Sequence, residues 1–158
     1  MSHLTRFSFG ATSAIITCLA FIIGLAKSPN PKFAIIGSLL VIAIADNISD
    51  SLGIHIYQES DLKKSDVVRK STLFNFITRF FVILVFILFI LFLPLTIASV
   101  LSIIWGLSLL IVLTYYIACE QKVNPYKAIL EHIAIAVVVI IISDYLSQWI
   151  LTFISTMA

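Results

Sequence analysis

A chain of 158 residues that is 61% hydrophobic and 11% charged is not an ordinary soluble domain, and its mean hydropathy of +1.13 places it among multi-pass membrane proteins. The net charge of +2 is small, and the basic residues sit in short polar interruptions rather than in a patch interleaved with aromatics, which excludes a nucleic-acid surface. No catalytic triad, phosphate-binding glycine loop or histidine-rich site occurs, so the chain is not expected to be an enzyme or to carry a resident cofactor.

Five apolar stretches match the roughly 20 residues that a membrane-crossing helix requires. The first, 7–26, ends at Lys27-Ser28-Pro29-Asn30-Pro31-Lys32, where two prolines preclude a continuous helix. It is too long for a signal-peptide core and no small-x-small cleavage site follows it, so it is read as retained. The second stretch covers 33–57 and the third 73–93, and Pro94 marks a tight turn into the fourth, 97–118. Asn124-Pro125 sets a capping residue before proline at the first helical position and opens the fifth, 126–154. Between the second and third, 58–72 alternates charge signs and is expected to be a short cytosolic loop, with some helix continuing from the second span. The expected fold is an all-α integral membrane protein: five transmembrane helices in a single membrane domain, 1–158.

Loop charges set the expected orientation. Arg6, Lys63, Lys64, Arg69, Lys70, Lys122 and Lys127 share one side of a five-span chain, and only Lys27 and Lys32 lie on the other. Positive-inside bias puts the N-terminus in the cytosol and the C-terminus outside. Which membrane hosts the chain is not encoded in this pattern.

The chemistry concentrates late in the second span. Asp46, Ser49, Asp50, Gly53 and Tyr57 are three, four or seven positions apart and share one helix face. An ionised side chain near a bilayer centre costs at least ~2.5–3.5 kcal/mol, so it normally faces a cavity or a partner. Asp46 and Asp50, with Asn47 and Ser49 beside them, offer hard oxygen ligands to a divalent cation, and close carboxylates also make a proton carrier. The plainer alternative is a buried helix junction satisfied by serines and backbone.

Other candidates are dispersed. His55, Glu59, Glu131 and His132 are expected to gather with Arg79 and Glu120 near the cytosolic mouth, as capture groups for a cation. Arg79 is expected to pair with Glu131 or Glu120, because buried charges are usually paired. Asp144, with Gln148 beside it, is the exit candidate near the outer end of the fifth span. Cys18 and Cys119 read as packing residues, not as ligands or a disulfide. The phenylalanine-rich third span reads as lipid-facing bulk or packing. Gly10, Ser13, Thr17, Ala20 and Gly24 form a small-residue seam, which serves either packing within the chain or self-association about a two-fold axis.

Two motifs carry a family resemblance. Arg6-Phe7-Ser8-Phe9-Gly10, followed by Thr17 and Gly24, and Ala45-Asp46-x-x-Ser49-x-x-x-Gly53 are similar in order and spacing to the first and second helices of the vacuolar iron transporter family. Phe76 through Pro94 and two further spans match the rest of that family's plan. The resemblance implies a homodimer of five-helix chains that exports Fe²⁺, sometimes Mn²⁺, from the cytosol against protons. It also implies a path at the dimer interface, lined by the first helix.

The sequence departs from that pattern at the site itself. Thr12-Ser13-Ala14 stands where the family has Asn-Asp-Gly, Asp50 where it has a methionine, and Ile54 where it has a glutamate. The glutamate-rich cytosolic helices are almost absent. A carboxylate lost at Ser13 and regained at Asp50 would keep an acidic site with harder ligands, favouring Mn²⁺- or Mg²⁺-like ions. The expected function is a proton-coupled transporter of a divalent metal ion, embedded in lipid as a homodimer. The alternative is a membrane protein that keeps this helical frame without transporting, or that carries a different solute such as an organic cation.

Overall fold

Prolines and two short polar breaks divide the chain into helical rods. The computed structural model describes residues 3–61 and 63–157, without the side chains of 3–9, 155 and 157. The side chains of Arg6 and of the Phe7-Ser8-Phe9 part of the first motif therefore lie outside what is described. Helix makes up 91% of the chain and no strand occurs among the described residues, so the protein is all-α.

Helix α1 runs His3–Leu25, α2 Pro31–Val41, α3 Asn47–Ser60, α4 Ser65–Phe92, α5 Leu95–Gln121 and α6 Pro125–Met157. A wider π-helical turn, Ile42–Asp46, joins α2 to α3, so that Pro31–Ser60 is one unbroken rod of 30 residues. Four rods are long and apolar enough to cross a membrane: Pro31–Ser60, α4, α5 and Pro125–Ile154. The described apolar part of α1, Gly10–Leu25, is shorter.

Local chemistry explains the breaks. Pro31 starts α2 at a position where its missing N–H is not needed. Leu93, held extended at ψ 156° because it precedes Pro94, turns α4 directly into α5. At the other end of α5, Lys122 takes the left-handed conformation at φ 57°. Its N–H bonds Cys119 O and that of Val123 bonds Ala118 O, which satisfies the last carbonyls of the helix. Asn124 caps α6, its Oδ1 accepting from Tyr126 N at 3.0 Å.

The helices outrun the apolar stretches. The 58–72 segment is mostly helix, because α3 continues to Ser60 and α4 already begins at Ser65. Hydropathy locates the apolar length, whereas a helix once started gains a backbone bond with every added residue. At 28 residues α4 is about 42 Å long, more than the roughly 30 Å of a bilayer's hydrocarbon core.

The core forms around α1, which packs against α2, α4, α5 and α6. Its residues Ala11, Ala14, Ile15, Cys18, Leu19 and Ile22 are all buried. They meet Ile35 and Leu39 of α2, Ile83, Phe86 and Ile90 of α4, and Ala98 of α5. Helix α6 is the most exposed rod, turning residues such as Leu130, Val138, Ile142 and Trp149 outward, as an apolar lipid-facing helix does. The seam on α1 is used within the chain at both ends. Gly10 lies directly against Asn75 and Arg79 of α4, and Gly24 against Ser143 of α6, while Ser13, Thr17 and Ala20 are partly buried.

Candidate functional site

The site begins with a backbone irregularity. In an α-helix the Asn47 N–H would bond Ala43 O. Here it reaches Ile42 O instead, five residues back, and the Asn47 side chain takes over: Nδ2 donates to Ala43 O at 3.3 Å and to Phe76 O of α4 at 2.9 Å. Asn47 thus sustains the π-helical turn and ties it to α4. Such turns recur at functional sites.

The turn has a consequence for which residues face inward. Buried Ile35, Leu39 and Ile42 set the inward face of the rod. Continued at helical spacing, that face would reach Asp46, Asp50 and Gly53. The extra residue in the turn moves it on by one position, so that Asn47, Ser51 and Gln58 are buried instead. The expected stripe of Asp46, Ser49, Asp50, Gly53 and Tyr57 therefore lies beside the buried face and not on it. All but Asp50 are exposed on the outer side of the rod.

Arg79 of α4 is the hub. Its side chain is 1% exposed, and Nη2 lies 2.5 Å from Asp46 Oδ2. Nη1 lies 3.1 Å from Asp50 Oδ2, but its N–H bonds do not point along that line, so this contact is ionic without being a hydrogen bond. The Asp46 side chain is 50% exposed and that of Asp50 25%. Asn75 Nδ2 donates to Asp50 Oδ2 and to Ser51 Oγ, both at 3.2 Å. A methyl group at Gly10 would collide with Asn75 Oδ1 and come within 3.0 Å of Arg79 Cγ, so α1 closes this cluster only because position 10 has no side chain. Arg79 therefore is paired as expected, but with Asp46 and Asp50. Glu131 and Glu120 lie on other helices, and Asp46 and Asp50 are the acids that the α3–α4 packing presents.

Toward the α3–α4 break the polar contacts continue. His55 Nδ1 is 3.1 Å from Thr72 Oγ1, and Nε2 is 3.2 Å from Glu59 Oε1. Gln58 Nε2 donates to Ser71 Oγ at 2.8 Å, and both residues are buried.

The expected convergence of capture groups does not occur. His55 and Glu59 belong to the α3–α4 packing, whereas Glu131 and His132 line an open cavity of about 350 Å³ between α5 and α6. There His132 Nδ1 and Thr114 Oγ1 share a hydrogen bond of 2.8 Å. Asp144 is engaged as well: Lys27 Nζ lies 2.5 Å from Oδ1, and Gln148 donates to Oδ2 at 2.6 Å, fastening the end of α1 to α6. Among the described residues no group of three His, Cys, Asp or Glu side chains is placed to hold a metal ion.

Sequence reasoning missed Ser51, Gln58, Ser71, Thr72, Asn75 and Thr78. A signal was present: 71, 75 and 78 repeat at helical spacing, as do 47, 51, 55 and 58, so two polar faces stand ready to meet. No protein-family model matches the chain, and no curated protein or solved structure is significantly similar to it.

Proposed function

We propose that the protein is a multi-pass membrane transporter for a cation, in which Arg79 is a built-in counter-ion that alternates with the cargo on Asp46 and Asp50. The observation that carries this reading is a fully buried arginine lying against two carboxylates, one of them half exposed, on a rod long and apolar enough to cross a membrane. Ionisable groups at such depth are expensive to keep, and they mark ion pathways.

Charge arithmetic orders the states. With all three groups ionised the triad carries a net charge of −1, so with Arg79 in place it takes up one further positive charge, a proton. When Arg79 withdraws, the two carboxylates have the charge and the hard oxygens that a divalent ion requires. A proton and a divalent metal are thus alternative occupants. This fits the coupled export that the family resemblance implies. All five rods cross the bilayer in this reading, with the N-terminus in the cytosol. A second copy of the chain covers the exposed side of α3, because an Asp46 carboxylate open to lipid would be costly.

Flux into liposomes tests the proposal, with Mn²⁺, Fe²⁺ and Co²⁺ compared with and without a pH gradient. Gradient-dependent flux that falls at least tenfold in Asp46→Asn and in Asp50→Asn is the expected result. A second reading, a frame without a metal path, is favoured by one observation: both carboxylates are already engaged by Arg79. Absence of flux for every ion, from protein that unfolds cooperatively, would establish that second reading.

A further inference from the structure

We propose that the α3–α4 seam is a hydrated proton path, leading from His55 and Glu59 near the α3–α4 break to Asp50 in the charged triad. The proposal rests on the transporter reading for its purpose, but not for its test.

Three observations converge on the seam. It is lined by buried or half-buried polar side chains in sequence along two facing helices: Asn47, Ser51, His55 and Gln58 against Ser71, Thr72, Asn75 and Arg79. It also gathers the unsatisfied groups. Of seven buried side-chain polar atoms without a hydrogen-bond partner among the described residues, five belong to residues of this seam: Asn47 Oδ1, Gln58 Oε1, Asn75 Oδ1, which lies against Gly10 of α1, and Nε and Nη1 of Arg79, the last in ionic contact with Asp50. The other two are serine hydroxyls of α5. A buried polar atom left unpaired costs roughly 1–3 kcal/mol, so a seam with several of them is stable when water supplies the missing bonds. Finally, titratable groups stand at both ends, His55 with Glu59 at one and Asp50 with Arg79 at the other.

The local bonds give the relay a direction. Thr72 donates its own hydroxyl proton to Val68 O at 3.0 Å, so its oxygen accepts from His55 Nδ1–H. A His55 protonated on both nitrogens therefore donates to Thr72 from Nδ1 and to Glu59 from Nε2. When the Nδ1–H leaves Thr72 and gives its proton to the water of the seam, a neutral imidazole remains, still donating from Nε2 to Glu59. The proton that arrives at Asp50 converts its carboxylate to a neutral carboxyl, and Arg79 loses one of its two ionic partners. Charge is conserved, and Arg79 keeps Asp46 as its ionic partner, so the protonated state is the one without cargo. From α4 the groups that face Asp50 are Arg79 and Asn75, and the group that faces His55 is Thr72.

Water access is tested by cysteine reactivity in a Cys119→Ser background. Cys18, fully buried in the apolar core, is then the internal reference. Ser51→Cys and Ser71→Cys are near-isosteric, and a small water-borne thiosulfonate is expected to add one adduct to each while leaving Cys18 unmodified. Full labelling after denaturation in SDS shows that the thiols are free. Protection of both introduced thiols to the same degree as Cys18 would overturn the proposal.

Proton entry is read in parallel by a dye inside liposomes, with potassium and valinomycin clamping the potential. The path predicts at least a tenfold loss of proton entry in His55→Gln, with Ser51→Cys labelling retained in that variant. Labelling without any effect of His55→Gln, or no proton entry in the unaltered protein, would overturn it as well. Metal flux is scored separately, so failure of the cargo reading leaves this result standing, and the reverse.

Discussion

The two halves of α4 present one continuous face to the bundle with opposite chemistry. From Ser71 through Asn75 and Thr78 to Arg79 its buried residues are polar, and from Ile83 through Phe86 and Ile87 to Ile90 they are apolar. The apolar half meets α1 and α2 through side chains that many other apolar residues of similar volume would replace. The polar half meets α3 through directed bonds, each dependent on one partner. The comparison teaches that adhesion and specificity occupy different lengths of the same helix. In lipid this division has a physical basis. The surroundings are as apolar as the core, so packing and hydrogen bonding, not water exclusion, hold helices together.

The largest expected effect comes from breaking the polar half at its hub. Arg79→Met leaves Asp46 and Asp50 unpaired and is expected to destabilise the protein by about 3–5 kcal/mol, because removing one partner strands the remaining charges. The same substitution combined with Asp46→Asn and Asp50→Asn removes the whole charge set, and most of that loss should be recovered. Thermal unfolding of both variants in bicelles checks the pair. If the triple variant is no more stable than Arg79→Met, the charges are not what sets the stability of this region.

Gly10→Ala probes the same hub from α1. The added methyl group must displace Asn75 or Arg79, and overpacking of this kind costs about 1–3 kcal/mol. Gly24→Ala is the matched control. Its methyl would meet Ser143 at 3.7 Å, an ordinary contact, and stability should stay within about 0.5 kcal/mol. Equal effects at both positions would mean that the small-residue seam acts uniformly and that Gly10 has no special relation to the polar cluster.

The apolar half should answer more mildly. Phe86→Ala removes about 100 Å³ from a fully buried site, and at about 24 cal/mol per Å³ the cavity costs about 2 kcal/mol. The transfer contribution that adds to such losses in water is absent where lipid is the reference. The variant should retain any proton or metal flux, since Phe86 lies in the apolar cluster about two turns along α4 from Arg79. Loss of flux with stability intact would extend the functional region into the apolar half.

How much of this was legible in the sequence follows from the same division. The apolar lengths, the breaks at Pro29-Pro31 and Pro94, and the Asn124 cap were readable, because each rests on neighbours in the chain. The face that Asp46 turns to was not. Face arithmetic assumes a constant rotation per residue, and Asn47 changes that rotation within Ile42–Asp46 by exchanging a backbone bond for a side-chain bond. The partner of Arg79 was hidden for a related reason. With the third span begun at 73, Ser71 and Thr72 were assigned to a loop, and the polar face of α4 was too short to recognise as the complement of α3. Neither error concerns hydrophobicity, which is the property that membrane sequences display most clearly.

The smallest expected effect lies outside both halves, at Lys122. A left-handed residue with a side chain is strained by roughly 1 kcal/mol relative to glycine, and Lys122 sits there because it ends α5. Lys122→Gly should therefore stabilise the α5–α6 hairpin by about 0.5–1 kcal/mol, read as a small rise in the unfolding midpoint. The same change removes a basic residue from the side of the chain expected to face the cytosol, where it adds to the orientation signal. Stability and insertion are separate readouts, and Lys122→Gln separates them further: glutamine carries no charge but keeps the strain of a side chain in the left-handed conformation. If both variants insert in the original orientation and only glycine raises the midpoint, backbone strain is the whole effect. If orientation becomes mixed in both, the strained lysine is retained for its charge.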